Sequence, residues 1–165
     1  MRSNGVKILK TLNKGFGVFA SRNFSKGEVV VYGKMVEILP ERTIHSFQID
    51  DKTHIQLDKI SRTINHSCEP NTGIRNNIFQ AYDFIALRNI KKGEEITWDY
   101  ETTEYISIAV KNCLCGSRNC RRVLRGFKYR VKELLEKYGI YIADYLKLNS
   151  ISNKAIDNIT LGIYD

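Results

Sequence analysis

Four cysteines constrain this chain more than any other feature, because they are split three and one. Cys113, Cys115 and Cys120 crowd into NCLCGSRNCRR, while Cys68 stands alone inside RTINHSCEPN, 45 residues upstream of the first of them. Four cysteines allow three disulfide pairings, but a C-x-C spacing suits a metal better than bridges. Gly116-Ser117 supplies a tight turn that returns Cys120 towards Cys113 and Cys115. Thiolates favour zinc, and a structural zinc is tetrahedral with all four positions filled. The local triplet lacks one corner, and Cys68 is the remaining cysteine. The arithmetic therefore predicts a closed, structural zinc held by Cys68, Cys113, Cys115 and Cys120, tying two distant segments together. The competing reading is four free thiols.

The opening MRSNGVKILK holds no apolar run long enough for a signal peptide, and no stretch reaches the roughly 20 apolar residues of a membrane helix. A soluble protein of a reducing compartment, without membrane association, is the expectation, and it tells against disulfides. At 165 residues the chain can bury a real core. Short β-favouring runs recur at 6–9, 28–39, 47–50 and 78–87, separated by the turn signals NKGFG, SKGE, NHSCEPN and KKGEE. From Lys128 the pattern changes, with Val131, Leu134, Leu135, Tyr138, Ile142 and Leu146 at three- and four-residue steps. One or two amphipathic helices are expected there, broken at Gly139 and covering an open sheet edge. The stretch NSISNKAIDNIT (149–160) is polar and weakly patterned, and fraying is expected in it.

The net charge of +8 is unevenly spread. Residues 1–34 carry seven basic and one acidic residue, and residues 111–165 eleven basic and five acidic; between them, 35–110 carry eight basic and twelve acidic. The acidic middle holds the remaining motifs.

Four segments fall in order: KGFGVFA (14–20), RTINHSCEPN (62–71), GEEITWDY (93–100) and CLCGSRNCRRVL (113–124). Together they resemble the SET-domain protein-lysine methyltransferases that carry a post-SET zinc segment, across roughly residues 6 to 127. The helical tail resembles an extension of small, stand-alone bacterial members. The resemblance implies a mainly β fold of short curved sheets with a pseudoknot, in which the NHSC segment passes under the loop carrying GEEITWDY. It divides the chain into a SET domain (1–106), a zinc-binding post-SET segment (107–127) and a C-terminal helical extension (128–165).

The family moves a methyl group from S-adenosylmethionine to a lysine amine. The matching cofactor-binding positions are Lys14, Gly15, Phe16 and Gly17 in the first motif, Arg62, Asn65 and His66 in the second, Tyr100, and Leu124 with Phe127 as apolar walls for the adenine. Asn65 is expected to bind the cofactor's amino group, and His66 to contribute backbone atoms and not proton transfer. Tyr100 matches the catalytic tyrosine, with Tyr32 as a second tyrosine of the lysine channel. Trp98 stands where the family usually has phenylalanine or tyrosine, a position that helps set how many methyl groups fit. Taken alone, G-x-G reads as a β-turn, a lone histidine as structural, and a tyrosine ending an apolar strand as core.

The expected partner is a lysine-bearing protein, with a histone or another basic protein as the candidate class. Residues 1–14 hold no cysteine-rich pre-SET region, and the insert before FQIDDKTHI is short; both set the chain apart from the larger chromatin enzymes. Asp99, Glu101 and Glu104, just after the catalytic strand, are expected to rim the channel and attract a basic segment. The alternative is an inactive module that holds nucleic acid weakly through Arg118, Arg121, Arg122, Arg125, Lys128, Arg130 and Lys132. The expected location is the cytoplasm of a bacterial source, or host chromatin for an exported or viral protein.

Overall fold

The computed structural model describes residues 5–150, which form ten short strands in three sheets and two helices. Strands β1 (Val6–Lys10) and β2 (Phe16–Ala20) make an antiparallel hairpin, with Thr11 N donating to the Gly15 carbonyl across the turn. Gly15 takes φ +74°, which a side chain would resist. The run predicted over 28–39 divides into β3 (Val29–Tyr32) and β4 (Met35–Leu39). Gly33 makes the break, since a Cβ there would collide with the Tyr82 carbonyl. Strand β5 is only Phe47–Gln48, and β6 is His54–Leu57. Next come β7 (Asn65–His66), β8 (Thr72–Asn76), β9 (Tyr82–Ala86) and β10 (Glu95–Trp98).

The sheets are ordered β1-β2-β10-β7, β3-β9-β8 and β4-β6-β5. Every pairing is antiparallel except β7 with β10, which sets Asn65 opposite Thr97 and His66 opposite Trp98. Side chains beyond β7 tighten this pair. Asn71 donates through Nδ2 to the Glu95 carbonyl at 2.8 Å and accepts from Thr97 N at 2.9 Å, while the Thr72 hydroxyl donates to the Thr97 carbonyl at 2.8 Å. Buried amides and hydroxyls thereby find partners that so short a strand pair could not offer. The clasp joins the two segments that the predicted pseudoknot requires.

Between the sheets lies one core that includes Val18, Ile55, Ile74, Phe84, Ile96 and Trp98. Residues 104–107 pair with 125–128: Ser107 N donates to the Arg125 carbonyl, Phe127 N to the Glu104 carbonyl and Lys128 N to the Tyr105 carbonyl. Gly126, at φ +109°, is required where the two segments cross, because a Cβ would meet Ile106 Cα at 2.6 Å.

Helix α1 (Val131–Tyr138) buries Leu134 and Tyr138 and stops at Gly139, at φ +55°. Helix α2 runs from 144 to the last described residue and buries Tyr145 and Leu146. Between them Tyr141 packs so closely on β8, an edge strand, that a Cβ at Gly73 would come within 2.6 Å of it. The predicted fraying falls mainly on 151–160, outside the described residues. No helix among the described residues is long and apolar enough to cross a membrane.

Candidate active site and metal centre

Pairing of β7 with β10 brings Asn65, His66, Cys68, Trp98 and Tyr100 into one region, although the two segments lie some thirty residues apart. Tyr100 opens a 3₁₀ turn (Tyr100–Thr102) directly after β10. Its hydroxyl donates to the Ile64 carbonyl at 3.0 Å, and its ring lies 4.8 Å from Trp98 and 5.3 Å from His66. Burial pushes the Tyr100 pKa up, so the hydroxyl stays protonated at neutral pH.

Two cavities meet at this ring. One is lined by Lys14, Asn65, His66, Tyr100 and Leu114, and reaches Cys113 and Cys115. The other, of about 40 Å³, is lined by Phe47, Arg62, Trp98, Tyr100 and Glu104, with residues 44–46 and Ala109 at its edge. Tyr100 is common to both.

In the Asn65 cavity, Asn65 Nδ2 donates to the Phe16 carbonyl at 2.9 Å and to Glu95 Oε1 at 2.8 Å, and Lys14 Nζ pairs with Glu95 Oε2 at 2.7 Å. A Cβ on Gly17 would sit 2.9 Å from Asn65 Nδ2, so glycine lets the first motif close on the second. Tyr100 N donates to His66 Nδ1 at 3.3 Å, which leaves the imidazole proton on Nε2, and Nε2 lies 3.3 Å from Cys68 Sγ. Burial lowers the His66 pKa to about 4, against the pull of Asp99, so the ring is neutral at pH 7.

Three of the four cysteines come together with His66 in one donor cluster, and Cys120 lies beside it. Cys68, Cys113 and Cys115 offer sulfurs that, together with a His66 nitrogen, lie within 4.8 Å of one another. Cys68 and Cys113 sulfurs are 4.0 Å apart, close to the about 3.8 Å edge of a tetrahedron with 2.3 Å zinc–sulfur bonds. Cys120 packs against the same cluster, its Sγ 3.9 Å from the Cys113 carbonyl. Backbone amides of Arg121 and Arg122 donate to the Cys68 and Cys120 sulfurs at 3.4 Å. Three sulfurs, with amides directed at the cysteines, Cys120 beside them and the Arg121 side chain against Cys68, form a donor set that fits zinc.

Several expected residues stand elsewhere. Tyr32 ends β3 at 51% exposure opposite Asp83 and lines neither cavity. Phe127 is buried in the main core, drawn there by the 104–107 pairing, and is likewise outside both linings. Arg62 lines the Trp98 cavity and not the Asn65 cavity. Leu124 packs with Cys68 and Cys113, while the exposed Leu114 faces the Asn65 cavity; sequence reading passed over Leu114, whose signal was its place inside the C-x-C.

The acidic run also divides. Asp99 Oδ1 pairs with Arg121 at 2.5 Å and Oδ2 accepts from the Tyr138 hydroxyl at 2.8 Å, while Glu101 pairs with Arg121 at 2.8 Å and Arg130 at 3.4 Å. Both acids are fully enclosed and do not rim a channel. This network also withdraws Arg121 and Arg130 from the basic stripe expected to face nucleic acid.

The SET domain profile matches residues 15–101, more than half of the chain, and the chain belongs to the SET-domain family. It is 32% identical over 139 residues to the variant-silencing SET domain-containing protein of Plasmodium falciparum, covering 70% of this chain and 5% of that protein. It is 30% identical over 142 residues to the H3 lysine-36 specific histone-lysine N-methyltransferase of Mycosarcoma maydis, covering 73% and 14%. Histone-lysine N-methyltransferase ASHH3 of Arabidopsis thaliana is 30% identical over 140 residues, covering 72% and 38%. The chain thus spans between 5% and 38% of the length of these relatives. Among solved structures, KRYPTONITE in complex with mCHG DNA and SAH superposes with a TM-score of 0.56 at 25% identity, covering 72% of this chain and 28% of that one. A second KRYPTONITE complex, with mCHH DNA, H3(1-15) peptide and SAH, superposes equally well.

Proposed function

We propose that this chain is a protein-lysine N-methyltransferase that transfers a methyl group from S-adenosylmethionine to a lysine ε-amine. One observation carries the reading: Tyr100 lines both cavities, so a group held in one can meet a group held in the other at a single hydroxyl. The relatives named as histone-lysine methyltransferases and the KRYPTONITE complexes with SAH support it.

The Asn65 cavity fits the cofactor. Lys14, Asn65 and His66 are polar and line it, Gly15 and Gly17 let the chain come close, and Leu114 with the cysteine segment supplies an apolar wall. S-adenosylmethionine supplies a methyl group on a positively charged sulfur. The residues of the chain have three tasks. Tyr100, with the Ile64 carbonyl beside its hydroxyl, orients the amine. Phe47 and Trp98 enclose the amine side and exclude water. Alignment and desolvation of this kind are worth several powers of ten in rate. We assign Tyr32 and Phe127 no direct part in the transfer.

Cys68, Cys113, Cys115 and Cys120 would hold a structural zinc that fixes segment 107–127 over the Asn65 cavity, with 128–150 as a buttress. The substrate class supported is a basic protein such as a histone, since one superposed neighbour holds an H3 peptide. DNA contact is a secondary property at most, with Arg121 and Arg130 engaged internally. The test is mass spectrometry of zinc-loaded protein with S-adenosylmethionine and mixed histones. A ladder of methyl additions on lysine, lost in Tyr100→Phe, upholds the reading. Folded, zinc-loaded protein that fails to bind S-adenosylmethionine overturns it.

A further inference from the structure

We propose that Glu104 is the group of the Trp98 cavity that receives a lysine ammonium and takes its proton, passing the neutral amine to Tyr100. The substrate in this inference rests on the methyltransferase reading above. A lysine with its ordinary pKa of about 10.4 arrives charged at neutral pH, and a charged nitrogen has no lone pair to attack with.

Glu104 differs from its two acidic neighbours in what surrounds it. Asp99 and Glu101 are neutralised by Arg121, whereas no Lys, Arg or His nitrogen among the described residues lies within 4.0 Å of the Glu104 carboxylate. The residue is 7% exposed, yet it forms part of the cavity wall. Its Oε1 accepts from Gln48 N at 2.9 Å and from the Thr103 hydroxyl at 3.3 Å, which fixes the carboxyl while none of the described hydrogen bonds ends on Oε2. Trp98 supplies a second, independent sign in the same wall: its Nε1–H is enclosed and has no acceptor among the described residues. An enclosed carboxylate without a cation and an indole N–H without an acceptor both point to a polar occupant.

The charges facing Glu104 are few. Arg62 and His45 line the same cavity, and Arg42 acts from farther off; the nearby Tyr82 and Tyr145 hydroxyls donate to the Gln48 and Thr103 carbonyls. Burial outweighs Gln48 N, Arg42 and Thr103 and raises the Glu104 pKa to about 7. A carboxyl titrating there suits a proton acceptor at neutral pH. In the step, one N–H bond of the ammonium breaks and one O–H bond forms on Glu104. The freed lone pair then forms the N–C bond as the donor's S–C bond breaks, and Glu104 releases its proton to water after the product leaves.

Two measurements on the zinc-loaded full chain test this. The first is the pH profile of kcat/KM for methylation of mixed histones. Wild type should rise to a plateau near pH 7. Glu104→Gln, which keeps the two hydrogen bonds to position Oε1, should fall by about 100-fold at pH 7.5 and climb about tenfold per pH unit towards the amine pKa. The second follows the carboxyl ¹³C resonance of Glu104, assigned by its loss in Glu104→Gln, during titration with n-butylamine at pH 8. It should move with n-butylamine and not with 1-butanol. A Glu104→Gln profile parallel to wild type overturns the proton-accepting role, and a resonance indifferent to n-butylamine overturns the amine site. Wild type that methylates no histone at any pH counts against the methyltransferase reading alone, and the titration then decides Glu104.

Discussion

The Tyr100 hydroxyl donates to the Ile64 carbonyl at 3.0 Å, a bond that joins the second residue after β10 to the residue before β7. It closes the parallel pair at the point where the two cavities meet. Tyr100→Phe removes this hydroxyl and leaves the ring contacts with Trp98 and His66 in place. Stability should fall by only about 1 kcal/mol, the usual worth of one hydrogen bond. Methyl transfer should fall at least ~100-fold, because alignment is lost while the fold is kept. Paired thermal melts and mass spectrometry separate the two effects.

Removing zinc should act on stability first. Purified protein should carry one equivalent of zinc, and Cys68→Ser or Cys113→Ser should lose it. Chelation or either substitution should lower the melting temperature and expose segment 107–127 to protease, since the binding energy of a structural zinc is folding energy. Metal analysis and limited proteolysis check this. His66→Ala should retain zinc, because its imidazole proton points at the Cys68 sulfur and makes it a support to the site and not a ligand.

Arg121→Ala should be among the most damaging substitutions in the chain. It strands two enclosed carboxylates, Asp99 and Glu101, and breaking a buried pair from one side costs about 3–5 kcal/mol. Arg121→Met together with Asp99→Asn and Glu101→Gln should recover part of that loss. Chemical denaturation of the single and triple variants measures it.

Glu104 should also be visible in the pH dependence of folding. Its pKa is raised in the folded protein from 4.5 to about 7, so the folded state holds the proton more tightly than the unfolded chain. Its contribution is therefore fully present below pH 4.5 and is lost as pH rises through 7. Relative to Glu104→Gln, wild type should lose stability over that window, by up to on the order of 3 kcal/mol. Denaturation curves at pH 4.5, 6 and 7.5 follow the difference.

Trp98→Phe should enlarge the small cavity beside Tyr100 and move the product distribution towards more methyl groups per lysine. Trp98 packs against Phe47 at 5.5 Å and Phe84 at 5.8 Å, so the variant should also lose about 1–3 kcal/mol. The mass ladder and a melt report both.

What could be read from the sequence was local and chemically specific. The cysteine spacing, the order of the four motifs, the change to helical periodicity after Lys128 and the stop at Gly139 all depend on neighbours in the chain. What could not be read depends on where the chain turns. Asp99, Glu101 and Glu104 look like one acidic patch, but the 3₁₀ turn at Tyr100–Thr102 directs the first two to Arg121 and the third to the opposite cavity. The resemblance to the family makes Phe127 a wall for the adenine alongside Leu124. The crossing at Gly126 carries it into the core instead. Arg121 and Arg130 belonged by composition to a basic stripe, and only the folded chain reveals their buried partners.

The parallel pairing of β7 with β10 also bears on how the chain acquires its shape. Asn65 cannot meet Thr97 until the 31 residues between them have been made, and the Cys68 carbonyl waits longer still for Lys137 Nζ, which reaches it at 2.6 Å from α1. Contacts this distant along the chain pay their loop-closure entropy before any reward arrives, and folds dominated by them assemble slowly. During synthesis the β1–β2 hairpin can form early, while Tyr100, the sulfurs and the closing lysine must come together near the end. Until then β7 presents a strand edge without its partner, and that interval is when the chain is most exposed to aggregation.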